Sequence, residues 1–228
     1  MEHIDSELDG LKEKLLAMAS HAETAVNQAL RALAERDYDL ALHVKDNDDV
    51  LDRFEVEIDD MVIHLLAKAP LARDLRFVTV AMKISQNLER VGDEASKIAK
   101  RARDLSQEPP VKIDLELPRM AKMSLAMLKA ALDSFVNRDP AAARAIIPRD
   151  KEVDALNREC NQRLADHMMA NPDAIKRCLH LIVVCKSLER IADHAKNVAE
   201  EVVYLCEALD IRHPHQDRTG ATSTPMPR

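Results

Sequence analysis

Apolar residues recur at steps of three and four along almost the whole chain. Leu8, Leu11, Leu15, Met18, Ala22, Ala25, Ala29 and Leu33 form one such seam, which predicts an amphipathic helix over residues 3–35. Asp37 reads as the cap of a second helix over 38–69, with Leu51, Phe54, Ile58, Met61 and Leu65 inward. Pro70 marks a turn and disfavours helical angles at Ala69. A third helix then runs to Leu105, its seam Ile84, Leu88, Val91, Ala95, Ile98, Ala102 and Leu105. The stretch SQEPPVKIDLELP breaks the period and reads as a linker at 107–117.

The pattern then restarts. A fourth helix is predicted over 118–136. A fifth starts at Asp139-Pro140 and reaches Ala170, and Pro148 should kink or break it early. Asn171-Pro172 turns the chain into a sixth helix over 173–208, with the seam Val184, Leu188, Ile191, Ala195, Val198, Val202 and Leu205. From 210 to 228 there is no apolar face, and a flexible tail is expected. The third and sixth seams match at a constant offset of 100, and Arg36-Asp37 recurs as Arg138-Asp139. The chain therefore reads as all-α, two tandem, pseudo-symmetric three-helix bundles, residues 1–106 and 118–209.

Composition agrees. Three glycines and 2% aromatics leave little for sheets and their turns. A net charge of −7 argues against nucleic acid as a partner. No apolar run approaches the ~20 residues of a membrane span, and the acidic start MEHIDSELDG is no signal peptide. Cys160, Cys178, Cys185 and Cys206 are scattered without a Cys-x-x-Cys pair and read as core thiols of a reducing cytoplasm. Met120, Met123 and Met127 read as core filling, with an adaptable partner surface as the alternative. Arg73 and Arg76 sit at a hairpin tip, either as a solvated turn or as a contact for an acidic partner or anion.

The acidic residues change the picture. Asp48, Asp52, Glu55 and Asp59 share one face of the second helix, and Glu89 and Asp93 lie beside the seam of the third. The second half repeats this as Asp150, Asp154, Asn157 and Asn161, with Glu189 and Asp193. If the pairs meet in antiparallel hairpins, the turns must fall at Pro70-Leu71 and at Asn171-Pro172, where turn signals already stand. Converging carboxylates repel unless something neutralises them, and hard divalent or trivalent cations suit such all-oxygen sets. The bland alternative is a solvated face paired with Arg53, Arg90, Arg158 and Arg190. No histidine follows a glutamate by three, so a ferritin-type diiron site is not expected. His194 points away from Asp193 and reads as exposed or inter-bundle. No phosphate loop, nucleophile elbow or zinc spacing appears, and no enzyme is expected.

These motifs resemble the PhoU family of phosphate-uptake regulators. DDVLDRFE and DKEVDALN look like the family's acidic motif, PLARDLRFV like its hairpin turn, and LERVGDEASKIA and LERIADHAKNVAEEV like its repeated signature. The resemblance implies a cytoplasmic adaptor between the ATPase subunit of a phosphate-specific ABC transporter and a membrane sensor histidine kinase, with a negative role in the phosphate-starvation response. It implies metal ions of unfixed identity (Fe, Mn, Mg or Zn), held by Asp48, Asp52, Glu55, Glu89 and Asp93 and, in the second repeat, by Asp150, Asp154, Glu189 and Asp193. Asn157 in place of Glu55, and Ala192 in place of the usual Gly, put the second site in doubt and predict that it is the weaker. The rival function is a metal-cluster protein with its own hydrolytic or redox activity. A homodimer is expected because long amphipathic helices seldom bury every apolar strip alone.

Overall fold

The recurring Arg-Asp pair explains how each half makes its first turn. In the computed structural model, which describes residues 2–47, 49–68 and 71–212, α1 spans Glu2–Glu35 and α2 spans Tyr38–Asp46. Between them Arg36 adopts the left-handed conformation at φ 56°, and the Asp37 amide donates back to the Ala32 carbonyl at 3.0 Å. That bond ends α1, while the Asp37 carboxylate accepts from the Leu40 amide and starts α2. The second half repeats the device between α5 (Leu117–Asn137) and α6 (Pro140–Ile146). Arg138 has φ 49°, the Asp139 amide donates to Ser134, and the Asp139 side chain caps α6.

The middle helix of each half is broken, which for the first half departs from the single helix expected over 38–69. The Asn47 side-chain Nδ2 donates to the His43 carbonyl at 2.8 Å and closes α2, and α3 begins anew at Asp49–Leu66. Asn competes with helical backbone bonding through its own side chain, and this one does so. In the second half Pro148 turns Ile147–Arg149 into a 3₁₀ segment before α7 (Asp150–Ala170), as expected. Both breaks precede an acidic motif. Asp49, Asp52 and Asp150 consequently lie in first helical turns, where the backbone dipole favours carboxylates. The hairpin position Pro70 lies outside the described residues.

The long helices α4 (Ala72–Ser106) and α8 (Ile175–Glu207) pack against each other at the centre. All seven seam residues of each are buried, and so are Ser85, Ala99, Ala192 and Val203 beside those seams. The amphipathic period showed one seam per helix. The second buried face exists because each long helix has a neighbour on both sides. α1, α2 and α3 pack on α4, and α5, α6 and α7 on α8, so one continuous core runs through both halves. No strand occurs among the described residues. The linker lies against this body. Val111, Ile113 and Leu115 pack on the core, and Arg36 donates to the carbonyls of Leu105 at 2.6 Å and Ser106 at 3.3 Å, and to that of Glu108.

Met120 and Met127 are fully buried and Met123 partly so, which is core filling. Cys160, Cys178 and Cys185 are buried free thiols and Cys206 is half-buried. The expected tail differs at its start: Arg212 folds back onto Glu201 at 3.0 Å and Ile211 packs on the core. Residues 213–228 lie outside the described part.

Candidate functional site

The first acidic motif is assembled from α3 and α4, which pack antiparallel. Asp52 is exposed, Glu55, Glu89 and Asp93 are half-buried, and Asp48 lies outside the described residues. Partial burial pushes the Glu89 carboxyl above its ordinary pKa. Asp93, Glu55 and Asp52 push it the same way, and Arg90 partly opposes them. Glu55 is also raised, first by burial, then by Asp59, with Asp52 and Asp93 adding to it against Arg90. Carboxylates of both helices thus stand in one another's field, at the level that the hairpin geometry required. Asp59 carries one buried oxygen, Oδ1, with no hydrogen-bond partner.

The arginines expected to neutralise these stripes are unequally placed. Arg90 stands 3.2 Å from Glu89 and 3.6 Å from Asp93, but its side chain is largely in solvent, where such pairs are worth little. Arg53 meets Asp49 at 3.7 Å, and Arg190 crosses to Glu94 of the other half at 3.2 Å. Lys97 also approaches Asp93, at 4.0 Å and half in solvent, yet the acidic side chains of the first motif still outnumber the cations beside them. Its donors are all hard oxygens, and its orphaned buried oxygen marks an unmet demand, which fits a hard cation. Among the described residues no three His, Cys, Asp or Glu side chains stand close enough to hold one ion together.

The second motif is built differently. Asp150 is 6% exposed at the start of α7, and its Oδ2 accepts from Lys196 of α8 at 2.8 Å. The same ammonium stands 3.6 Å from Asp193. Burial works against the charge of Lys196, yet its bond to Asp150 and the fields of Asp150, Asp193 and Glu200 prevail and raise its pKa. Glu189 pairs with Lys186 at 2.6 Å, and Asp154 is half-buried on α7. The Asn161 amide donates to the Asn157 oxygen at 3.2 Å. Nothing in the spacing of the acidic residues points to Lys196. The offset of 100 that aligned the seams also aligns it with Ser96 and would have exposed the difference.

Beside the first motif a cleft of about 240 Å³ is lined by His21, His43, Asn47, Leu51, Gly92 and Ser96. His194 lies in the seam between the halves, its Nδ1 3.0 Å from the Asn87 Oδ1, so the inter-bundle placement holds. Arg73 is exposed and bonds its neighbour Asp74 at 3.2 Å, while Arg76 lies over the Tyr204 ring at 5.9 Å. Among the described residues no helix is long and apolar enough to cross a membrane.

Comparison with known proteins gives the same repeat. The PhoU domain matches twice, over residues 15–102 and 117–202. A relative from Pseudomonas aeruginosa, named phosphate-specific transport system accessory protein PhoU homolog, is 38% identical over 93% of this chain and 88% of its own length. A relative of the same name from Rhizobium meliloti is 37% identical over 96% of this chain and 94% of its own. The crystal structure of PhoU from Pseudomonas aeruginosa superposes with a TM-score of 0.87 at 38% identity, covering 90% of this chain and 99% of that one. PhoU from Streptococcus pneumoniae, a phosphate transport system regulatory protein, superposes at 0.84 with 28% identity, covering 92% of this chain and all of that one. Two acidic hairpins, two Arg-Asp turns and two domain matches over nearly the whole described length make this chain a member of the PhoU family.

Proposed function

We propose that this protein is an accessory regulator of phosphate-specific transport. The observation that carries the reading is the full-length correspondence, across both repeats, with relatives named for that role. In this reading it works in the cytoplasm as an adaptor, offering long helical faces to the ATPase subunit of the transporter and to a membrane sensor histidine kinase, and it holds the starvation response down. Its work is binding and not turnover. Deleting the gene should derepress phosphate uptake and switch on the starvation response in phosphate-replete medium. Unchanged uptake and signalling would count against the role.

The same proposal gives the first acidic motif a metal ion or cluster, with Asp48, Asp52, Glu55, Glu89 and Asp93 as ligands. The raised Glu55 and Glu89 and the orphaned Asp59 oxygen support it. Carboxylates that repel stand apart, and a cation would draw them in and fasten α3 to α4. Elemental analysis of protein purified without chelators should find Fe, Mn, Zn or Mg, and Glu89→Gln should lose most of it. A metal-free wild-type chain after incubation with these ions would remove this part of the reading.

A further inference from the structure

Three of the differences between the two acidic motifs reduce the charge that a cation must offset, and one works the other way: Lys97, 4.0 Å from Asp93, is Asn197 in the second repeat. Glu55 and Asp59 of α3 correspond to Asn157 and Asn161 of α7, and Ser96 of α4 corresponds to Lys196 of α8. The first motif thus holds six carboxylates (Asp48, Asp52, Glu55, Asp59, Glu89 and Asp93), whereas the second holds four and an ammonium. The two amides bond each other at 3.2 Å where the equivalent carboxylates repel. Positions 92 and 96, a glycine and a serine, border an open cleft in the first repeat. Their equivalents, Ala192 and Lys196, are bulkier.

Lys196 is placed where an ion would act. Its Nζ lies 2.8 Å from Asp150 of α7 and 3.6 Å from Asp193 of α8, so one positive charge ties the two helices of the hairpin. A carboxylate as buried as Asp150 is strongly destabilising without a positive partner. The lysine reaches one of its oxygens, and Oδ1 remains buried without a partner.

We propose that the Lys196 ammonium is a built-in cation, standing in the second repeat where the first repeat takes an external metal ion. The second acidic motif therefore carries its own counter-charge at Asp150 and Asp193, and metal binding is confined to the first. This rests on the metal reading of the first motif given above, and it makes the protein asymmetric: one hairpin responds to metal supply and the other is permanently fastened.

The test uses the full-length chain, stripped with chelator, equilibrated with Mn2+ and analysed for bound metal, with circular dichroism to confirm folding. Wild-type protein should lose its Mn2+ in Glu89→Gln and keep it in Asp150→Asn. Lys196→Ser should take up about one further Mn2+ per chain, as expected for a vacated all-oxygen site. That extra metal should survive in the Glu89→Gln, Lys196→Ser double variant and vanish when Asp150→Asn is added. If Lys196→Ser binds no more than wild type while wild-type metal still depends on Glu89, this inference is overturned and the first-motif reading stands. Extra metal in Lys196→Ser over a metal-free wild type supports the lysine's role and overturns the first-motif reading. If both proteins stay empty, both ideas fall. Should Lys196→Ser not fold, the reciprocal Ser96→Lys decides: it should bind several-fold less Mn2+ than wild type, and undiminished binding, or a metal-free wild type, overturns the inference.

Discussion

Gly92 and Ala192 occupy equivalent positions in α4 and α8, yet the residues opposite them differ in size. A Cβ at Gly92 would meet Leu51 Cδ1 at 2.2 Å, far inside contact distance, and Leu51 is buried. At the place equivalent to Leu51 the second repeat has Val153, one methylene shorter, and there α8 has Ala192. Gly92→Ala gains about 1 kcal/mol in helix propensity and loses about 1–3 kcal/mol to overpacking. The variant should melt below wild type, and Leu51→Val in that background should restore the midpoint. A single variant as stable as wild type would show that Leu51 moves aside freely. The constant offsets place these four residues in correspondence, but only the packed hairpin shows that a side chain at position 92 would collide with Leu51.

At the scale of elements, turn chemistry was legible, and helix continuity was legible only where Pro148 marked the interruption. Asp-Pro, Asn-Pro and Arg-Asp pairs announced their turns because capping and left-handed residues act over a few positions. The break at Asn47 falls where the period between Val44 and Leu51 passes through polar Asn47 and Asp48, with no proline or glycine to mark it. The two left-handed arginines now separate by role. Such a conformation costs a non-glycine residue roughly 1–2 kcal/mol. Arg138 is exposed at an otherwise backbone-closed turn, so Arg138→Gly should raise stability by about 1 kcal/mol. Arg36 caps α4 and the linker through three carbonyls, and charged hydrogen bonds contribute about 1.5–3 kcal/mol. Arg36→Gly should therefore lower stability despite relieving the same strain. Denaturant unfolding of both variants checks the opposite signs, and a rise in both would mean that the Arg36 cap is worth little.

At the scale of the whole molecule the decisive contact is α4 against α8, which carries polar pairs related by the repeat. Asn87 meets His194, and the equivalent residues Ser187 and Glu94 also bond each other. Toward one end His180 of α8 stands 3.5 Å from Arg101 of α4. Burial lowers its pKa. Arg101 and Lys176 press the same way, while Asp104 and Glu108 pull back. The native state therefore favours neutral His180, and the unfolded chain takes the proton more readily. This contribution to stability is complete above the ordinary histidine pKa of about 6.5 and is lost as pH falls through that value toward the lower native one. His180→Gln should flatten the decline of the melting midpoint over that window. An unchanged slope would assign the acid sensitivity elsewhere.

The amino-acid pattern alone determined the helical class, the duplication, the linker, most turns and the level at which acidic pairs meet. All of these follow from periods and caps that operate within a helix or across one short hairpin. Tertiary structure decided the rest: the second buried face of α4 and α8, the interruption between α2 and α3, and the reach of Lys196 onto Asp150. A helix period reports that a side chain is inward but not what it touches, and charge at a site depends on groups brought together from distant positions. Two motifs with nearly the same spelling thereby acquire different electrostatics, because one lysine crosses from α8 to α7 where the matching position of α4 has only a hydroxyl.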